Sequence, residues 1–279
     1  MHPYETGTSC DAPRQWAGCL ALAPGVAVFR GQAGNHQTHQ HWAHQLAMGL
    51  DGPVQMGSGD KVLCAPSLFI PAGVSHSLVK SVLVSVFLDP TTELARGLCQ
   101  QVNALQAPTD IAALSPALDT RLRDMLAGER PIDVALRELQ ALLAPQTVRV
   151  TDARLQTVLA TLAQPDALDR AHSRGQLAAL VGLSETRFSH WFREHTGMPL
   201  RSYRKWLRLV RGLEHALRGG NLTDAAHQAA FADQAHFSRT FLQMFGVRAS
   251  DLVSSIHLHA GPNAPHRAGQ TGASVFLQR

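Results

Sequence analysis

The chain has 279 residues, of which 45% are apolar, and a formal net charge of +4. That length accommodates two compact domains, and no stretch approaches the roughly 18 apolar residues of a membrane helix. With no basic-then-apolar signal sequence and four cysteines that lack CxxC spacing, the composition argues against a secreted, disulfide-built protein and predicts reduced thiols in the cytoplasm.

Residues 18–90 have the pattern of short β-strands. Apolar runs such as VAVF, KVLCA and LVKSVLVSVFL alternate with turn signals such as GQAGN, LDGP and GSGD. Regularly spaced short strands separated by turns predict a sandwich or barrel. We therefore assign residues 1–90 to an N-terminal β-barrel.

Residues 91–149 change to helical periodicity. Stretches such as TTELARGLCQQVNAL and PIDVALRELQALLA place leucines on one stripe, and Ser115 precedes a third stretch as an N-cap. These helices are too few to form a core of their own. We expect a helical linker that packs on the barrel or on a second subunit, and we predict a homodimer formed through it.

Residues 150–255 form an all-helical domain in which one pattern occurs twice. In each copy a short Ala-containing helix meets a turn, and a capping residue, Ser184 or Asp233, begins a second helix with an aromatic stripe. This segment carries 13 Lys and Arg against 9 Asp and Glu, whereas the remainder is balanced. Excess positive charge favours a phosphate-binding partner. The Gly/Pro-rich residues 256–279 are predicted to be a disordered tail.

Two ordinary helical hairpins would explain the aromatic stripes but not the polar faces at the start of each second helix. Arg can bind guanine bidentately and Gln can bind adenine, so these faces are candidates for reading bases. The amphipathic helix between the two units, of about 18 residues, could place them about one DNA turn apart. Its cations, including Arg208, could contact phosphates. The polar faces present Glu185, Thr186, Ser189, His190 and Arg193, and Gln234, His236, Ser238 and Arg239.

The stretches LAALVGLSETRFSHWFREHTGMPLRSYRKWLRL and AAFADQAHFSRTFLQMFGV resemble the AraC/XylS family of transcription regulators over about 100 residues. The resemblance implies an α+β protein with an N-terminal cupin-like barrel that senses a ligand. It also implies double-stranded DNA as a partner, with RNA polymerase as a further one. Base contacts would come from Thr186, Ser189 and His190, and from Gln234, His236, Ser238 and Arg239. One departure is Ala230, which stands where the family usually has a turn glycine.

Four histidines lie within HQTHQHWAHQL, and two of them resemble part of the cupin metal-binding motif. His39-x-His41 is followed by Gln45, where cupins have Glu, and Pro71-x-Gly73-x-x-His76 resembles the second part of that motif. His39, His41 and Gln45 share strand parity and should point inward, whereas His36 and His44 should point outward. The pattern predicts a site for divalent Zn, Ni, Co, Cu or Fe formed by His39, His41, His76 and Gln45.

Three functions remain open on the sequence. The first is a regulator whose barrel senses a transition metal, and the second is a regulator that senses a small organic effector without metal. The third, a metal-dependent cupin enzyme, is disfavoured because an enzyme would not need two DNA-binding units and no Asp or Glu stands among the motif positions to act as a base. We therefore expect no catalytic residues.

Overall fold

The computed structural model describes residues 16–23, 25–102, 110–128, 131–144, 152–164 and 172–259. The strands are Ala17–Ala23 (β1), Val26–Ala33 (β2), His44–Gly49 (β3), Val54–Ser58 (β4), Lys61–Ala65 (β5), Ser67–Ile70 (β6), Ser77–Leu78 (β7), Ser81–Leu88 (β8), Ala112–Ala113 (β9) and Ile256–His259 (β10). The helices are Glu93–Gln101 (α1), Pro116–Leu126 (α2), Ile132–Leu142 (α3), Ala153–Ala163 (α4), Arg174–Leu180 (α5), Glu185–Thr196 (α6), Leu200–Leu217 (α7), Leu222–Gln228 (α8), Gln234–Phe245 (α9) and Ala249–Val253 (α10). The α+β class is confirmed.

The N-terminal strands form two sheets that share a core. The larger has the order β10-β1-β2-β8-β3-β6-β9, and the smaller has the order β5-β4-β7. Side chains alternate across the larger sheet, as a period of two requires. In β2, for example, Ala27 and Phe29 face the smaller sheet's core residues, whereas Val26 and Val28 pack on the opposite side.

Helices α1–α3 cover the outer face of the larger sheet. The leucine stripes of α2 and α3, including Leu122, Leu136 and Leu139, pack with Val26 and Val28 in one buried cluster. The residues predicted to form a linker are therefore part of the N-terminal domain. Their apolar stripes are used within the chain, so the stripes give no support to a dimer interface at this place.

The helical domain begins at α4 and contains two helix-turn-helix units, α5–α6 and α8–α9, joined by the 18-residue helix α7. Ser184 and Asp233 are the N-caps of α6 and α9, as expected. Asn221 is the N-cap of α8, because its side chain accepts a hydrogen bond from the Asp224 N–H. Thr223, in the first turn of α8, donates to the Gln234 side chain at the start of α9.

Strand β10 joins the two halves of the chain. It runs parallel to β1, with Gly18 opposite Ile256 and Leu20 opposite Leu258. The prediction of a disordered tail is therefore wrong for Ile256–His259, whose alternating Ile and Leu pair with a sheet edge; the rest of that tail lies outside the described residues.

Two expectations from composition can be compared with the structure. No helix within the described ranges has the length and apolar character to cross a membrane. Cys19, Cys64 and Cys99 are free thiols, and Cys10 lies outside the described residues.

The turn of the second unit contains strained backbone at Ala230. Its φ is +53°, in the left-handed region where a Cβ is unfavourable. The corresponding turn of the first unit has Gly182 at φ +68°. Ala230 is held there because its N–H donates to the His227 carbonyl and its own carbonyl accepts from the Arg208 guanidinium.

We expect Ala230→Gly to stabilise the chain by about 1 kcal/mol, because it removes the left-handed strain at a modest cost in unfolded-state entropy. Urea unfolding of the full chain, followed by circular dichroism, measures the change. Gly182→Ala is the reverse substitution at the matched turn and should destabilise by a similar amount, since no atom of the described residues lies within 4 Å of its added Cβ. A destabilised Ala230→Gly protein would contradict the assignment of strain.

Candidate functional site

Three predicted metal ligands come together in the N-terminal domain. His39 and His41 lie in the irregular segment between β2 and β3, and His76 precedes β7. The backbones of His39 and His76 exchange two hydrogen bonds of 2.9 Å. A ring nitrogen from each of the three lies within 4.8 Å of the other two, and the side chains are buried. This grouping is the one that the two halves of the sequence motif predict.

Backbone carbonyls orient all three rings. The Nδ1 atoms of His39, His41 and His76 lie 2.9, 3.0 and 2.9 Å from the carbonyls of Gln37, Ala43 and Val74. Because a carbonyl only accepts, each Nδ1 carries the proton and each Nε2 presents a lone pair. The Nε2 of His76 is buried and has no hydrogen-bond partner among the described residues. Metal-binding histidines are usually held in this way by their second nitrogen.

Gln45 occupies the position of the expected carboxylate, but it is committed to other contacts. Its side-chain oxygen and nitrogen lie 3.0 Å from His41 Nε2 and 3.1 Å from Ser85 Oγ. His41 Nε2 is an acceptor, so the amide must turn its N–H toward the ring and accept from the Ser85 hydroxyl with its oxygen. In this arrangement Gln45 positions His41 and is a hydrogen-bond partner of the cluster.

The predicted outward direction is wrong for His36. Its ring lies 5.3 Å from that of His39 and 4.8 Å from that of Trp16, and both ring nitrogens are buried without a hydrogen bond of ordinary geometry to the described residues. The parity argument fails because residues 34–43 are not a regular strand. His36 is thus an inward-facing residue that the sequence reasoning missed.

The outward direction is correct for His44, which begins β3. Its Nδ1 accepts from the Ala72 N–H at 3.0 Å, and its Nε2 lies 3.8 Å from Cys99 Sγ on α1. Burial raises the pKa of the Cys99 thiol to about 11, so this thiol stays protonated at neutral pH.

The cluster is built to hold neutral imidazoles. Burial, reinforced by the neighbouring histidines, lowers the pKa of His36 and His39 to about 3 each and that of His41 well below its usual range. Burial also lowers the pKa of His76. A neutral imidazole is the form that binds a metal ion, so protons compete weakly for these nitrogens at neutral pH.

A cavity of about 120 Å³ adjoins the cluster and is bounded by both domains. The N-terminal domain contributes Phe29, His36, His39, His41 and Phe87, among others. The helical domain contributes Trp206, Val210, Glu214, Phe241 and Phe245, and strand β10 contributes Ile256. Glu214 is a buried carboxylate, 3% exposed, within the apolar stripe of α7. Glu214 follows Trp206 and Val210 at successive intervals of four residues, so it falls on the same helical stripe. A charged residue on this apolar stripe was the sequence signal that could have identified Glu214.

The predicted DNA-reading residues lie in the N-terminal halves of α6 and α9, except Arg193, which lies in the last turn of α6. Thr186, His190, Arg193, Gln234, His236 and Arg239 are exposed, and Ser189 and Ser238 are half-buried. Some already have partners within the chain. Ser189 Oγ donates to the Glu185 carbonyl at 2.9 Å, and the His236 ring packs edge-on against Phe231 at 5.1 Å. The remaining exposed set can face an external surface.

A groove lined by several cations runs between the two units. It contains Arg174, Arg201, Arg204, Lys205 and Arg208. Arg174 pairs with Glu185, whereas Arg204 donates to the His172 carbonyl. Arg208, predicted to contact phosphate, donates to the Ala230 carbonyl and stacks on Phe231, so its main role here is to hold the second turn. Arg201 and Lys205 are exposed cations of this groove.

The depressed histidine pKa values predict acid sensitivity of the metal-free chain. His36, His39 and His44 have folded pKa values of about 3, 3 and 4, below the 6.5 of the unfolded state, so the unfolded chain binds protons first. The free energy of unfolding is therefore highest above about pH 6.5. It falls as the pH drops toward the pKa values of the folded chain, by up to about 1.4 kcal/mol per pH unit for each histidine.

Urea unfolding of chelator-treated protein at pH 7, 6 and 5 measures this slope. His44→Leu should reduce the slope by about one histidine's share, because it removes one depressed group that lies away from the cluster. A midpoint that does not move between pH 7 and pH 5 would contradict the buried, neutral state of these rings.

Comparison with known proteins agrees with this architecture. A family described as "Helix-turn-helix domain" matches residues 177–254. The HTH-type transcriptional regulator NimR of Escherichia coli is 22% identical over 223 residues, covering 75% of this chain and 78% of NimR. An apo single-residue variant of ToxT from Vibrio cholerae is 9% identical with a TM-score of 0.57, covering 84% of this chain and 98% of ToxT. Wild-type ToxT from the same organism, with bound unsaturated fatty acid, is 10% identical with a TM-score of 0.53, covering 83% and 96%.

The ToxT likeness spans both halves of the chain and therefore supports the whole two-domain fold. The match at residues 177–254 covers the end of α5, all of α6–α9, and α10. Of these relatives, NimR is named as a transcriptional regulator. Residues 177–254 therefore form an AraC-type helix-turn-helix domain within a two-domain chain that is similar to the transcriptional regulator NimR.

Proposed function

We propose that this regulator reads duplex DNA with α6 and α9 and that a divalent transition metal bound by His39, His41 and His76 changes its affinity for DNA. The observation that carries the metal proposal is the set of three buried rings with every Nδ1 bonded to a backbone carbonyl. A cupin-like sensor of this kind would report metal availability to the helical domain.

The DNA interface follows from exposure and spacing. The 18 residues of α7 span about 27 Å, which suits two reading helices about one DNA turn apart, ~34 Å. Arg239 is exposed on α9 and can bind guanine bidentately. Arg201 and Lys205 are exposed in the groove between the units and carry the charge that phosphates require.

The donor set suits a borderline transition metal. Three neutral imidazoles add no negative charge and leave coordination positions open, which favours Zn, Ni, Co, Cu or Fe over the hard ions Mg and Ca. The buried Nε2 of His76, unpartnered within the described chain, is the polar atom that such an ion would satisfy. Metal binding at His41 Nε2 would require the Gln45 amide to turn away from that atom, because its single lone pair cannot both accept an N–H and bind an ion.

The cavity favours a second candidate, a small organic effector. ToxT has been solved with an unsaturated fatty acid and with (E)-4-(8-methylnaphthalen-1-yl)but-3-enoic acid, both apolar acids. The cavity of about 120 Å³ here is close to an engineered cavity of about 150 Å³ that holds benzene. Its size therefore fits a molecule with a single ring and is too small for a long acyl chain.

Arg239→Ala and Lys205→Ala should weaken DNA binding in different ways. The first should cost about 1–3 kcal/mol on a selected site and change non-specific binding little, because it removes a base contact. The second should weaken binding to all sequences and reduce the salt slope by about 1, because it removes one phosphate contact. Fluorescence anisotropy at several salt concentrations measures both.

The matched control is Lys61→Ala, which removes an exposed cation from the edge strand β5 of the N-terminal domain. It should leave both quantities unchanged. An Arg239→Ala protein with unaltered site preference would remove α9 from the base-reading interface.

Calorimetric titration with Zn²⁺ or Ni²⁺ tests the metal site. Wild type should bind one equivalent, and His39→Ala, His41→Ala and His76→Ala should each lose at least about 100-fold in affinity, since each removes a direct ligand. His44→Ala is the matched control, because the His44 ring contacts the Ala72 N–H and Cys99 of α1 and takes no part in the cluster. His36→Ala is not a control, since that ring faces the cavity.

Equal affinities in wild type and all four of these variants would reject the site. If no protein binds metal while benzoate changes DNA affinity of the chelated wild type, the organic-effector function takes its place. The two candidates are thus separated within one set of proteins.

A further inference from the structure

We propose that Gln37 couples the histidine cluster to the second recognition helix, because its backbone binds His39 on one side and the end of α9 on the other. This inference rests on the proposed function, since it states how occupancy at His39 would reach DNA. The link between the two sites is the contact that residues 36–39 make with Gly246, the C-cap of α9.

The connection consists of two hydrogen bonds in series. The Gln37 carbonyl accepts from His39 Nδ1–H at 2.9 Å. The Gln37 N–H donates to the Gly246 carbonyl at 3.0 Å. Both groups of Gln37 belong to the backbone, so the link is independent of its side chain. A reorientation of the His39 ring therefore moves the Gln37 backbone and, through the second hydrogen bond, the cap of α9.

Gly246 permits an approach that a side chain would prevent. It ends α9 with φ +68°, and a Cβ there would lie 2.5 Å from the Gln37 carbonyl oxygen and 2.6 Å from His39 Nδ1. The first unit provides the contrast. Gly197 ends α6 in the same left-handed conformation, φ +77°, yet no atom of the described chain lies within 4 Å of its added Cβ. Of the two recognition helices, α9 is thus the one whose C-cap contacts the histidine cluster.

The contact leaves the DNA-facing end of α9 uncovered. Gln234 and Arg239 are exposed, whereas Phe241 and Phe245 at the other end line the cavity, and the Phe245 ring lies 6.5 Å from that of His41. The cluster therefore acts on the orientation of α9 and does not block its reading face. A metal at His39 Nε2 fixes the ring direction, and the Gln37 backbone carries that constraint to the helix.

Coupling between two sites is reciprocal, so DNA must act on residues 36–39 as metal acts on DNA affinity. Between distinct sites, the change in affinity is commonly about 5- to 150-fold. The test uses the full chain, a duplex selected from a random-sequence pool by the wild type, and Zn²⁺ as the probe. The measured quantity is the ratio of duplex Kd values in the presence and absence of Zn²⁺.

Gly246→Ala and its matched control Gly197→Ala carry the same left-handed strain, but only the first meets the Gln37 backbone. We expect the ratio of duplex Kd values with and without Zn²⁺ to be the same in wild type and in Gly197→Ala. Gly246→Ala should still bind Zn²⁺, but its ratio of Kd values should lie within about twofold of 1, below the usual range of coupling. Gly246→Asn and Gly197→Asn repeat the comparison with a residue that tolerates this conformation better, in case the alanine variant is poorly folded.

Hydrogen exchange supplies a readout that needs no metal. Adding the duplex should change amide exchange at residues 36–39 in wild type and Gly197→Ala but not in Gly246→Ala. If Gly246→Ala keeps both the wild-type ratio and the exchange response, or if wild type binds Zn²⁺ and shows neither, the link is wrong. If wild type binds no Zn²⁺, the metal proposal fails and the exchange comparison alone decides the link.

Discussion

One apolar core runs through both halves of the chain, and the rest of the structure depends on it. Within the described residues the smaller sheet has three strands against seven in the larger, so it covers only part of that sheet's inner face. Trp206 and Phe241 of the helical domain and Ile256 of β10 complete the burial and belong to the same cluster as Phe29 and Leu83. Because apolar surface is stabilising only when it is removed from water, the N-terminal domain and the helical domain each depend on the other.

This shared core explains why the histidines are neutral and why the cavity lies where it does. The cluster is enclosed from one side by β-strands and from the other by α7 and α9, so charging an imidazole there would cost desolvation that the uncharged Gln45 does not offset. Gln45 is consistent with a neutral cluster, since it brings hydrogen bonds without charge.

Much of this arrangement could be predicted from the sequence, because local rules decide it. The period of two placed Gln45 inside and His44 outside, and the N-caps Ser184 and Asp233 marked both recognition helices. The inward turn of His36 could not be predicted, because parity applies only to a regular strand and residues 34–43 are irregular. Strand β10 was missed because its partner, β1, lies at the other end of the described chain.

The pairing of β10 with β1 has a consequence for how the protein is made. Strand β1 cannot pair with β10 until β10 has left the ribosome, which happens only after both helix-turn-helix units have been synthesised. Until then this edge of the N-terminal sheet stays open, and open strand edges are sites of aggregation. Contacts of such high sequence separation form slowly. The newly made N-terminal domain therefore passes through a stage in which this edge is exposed, and the stage ends when β10 pairs with β1.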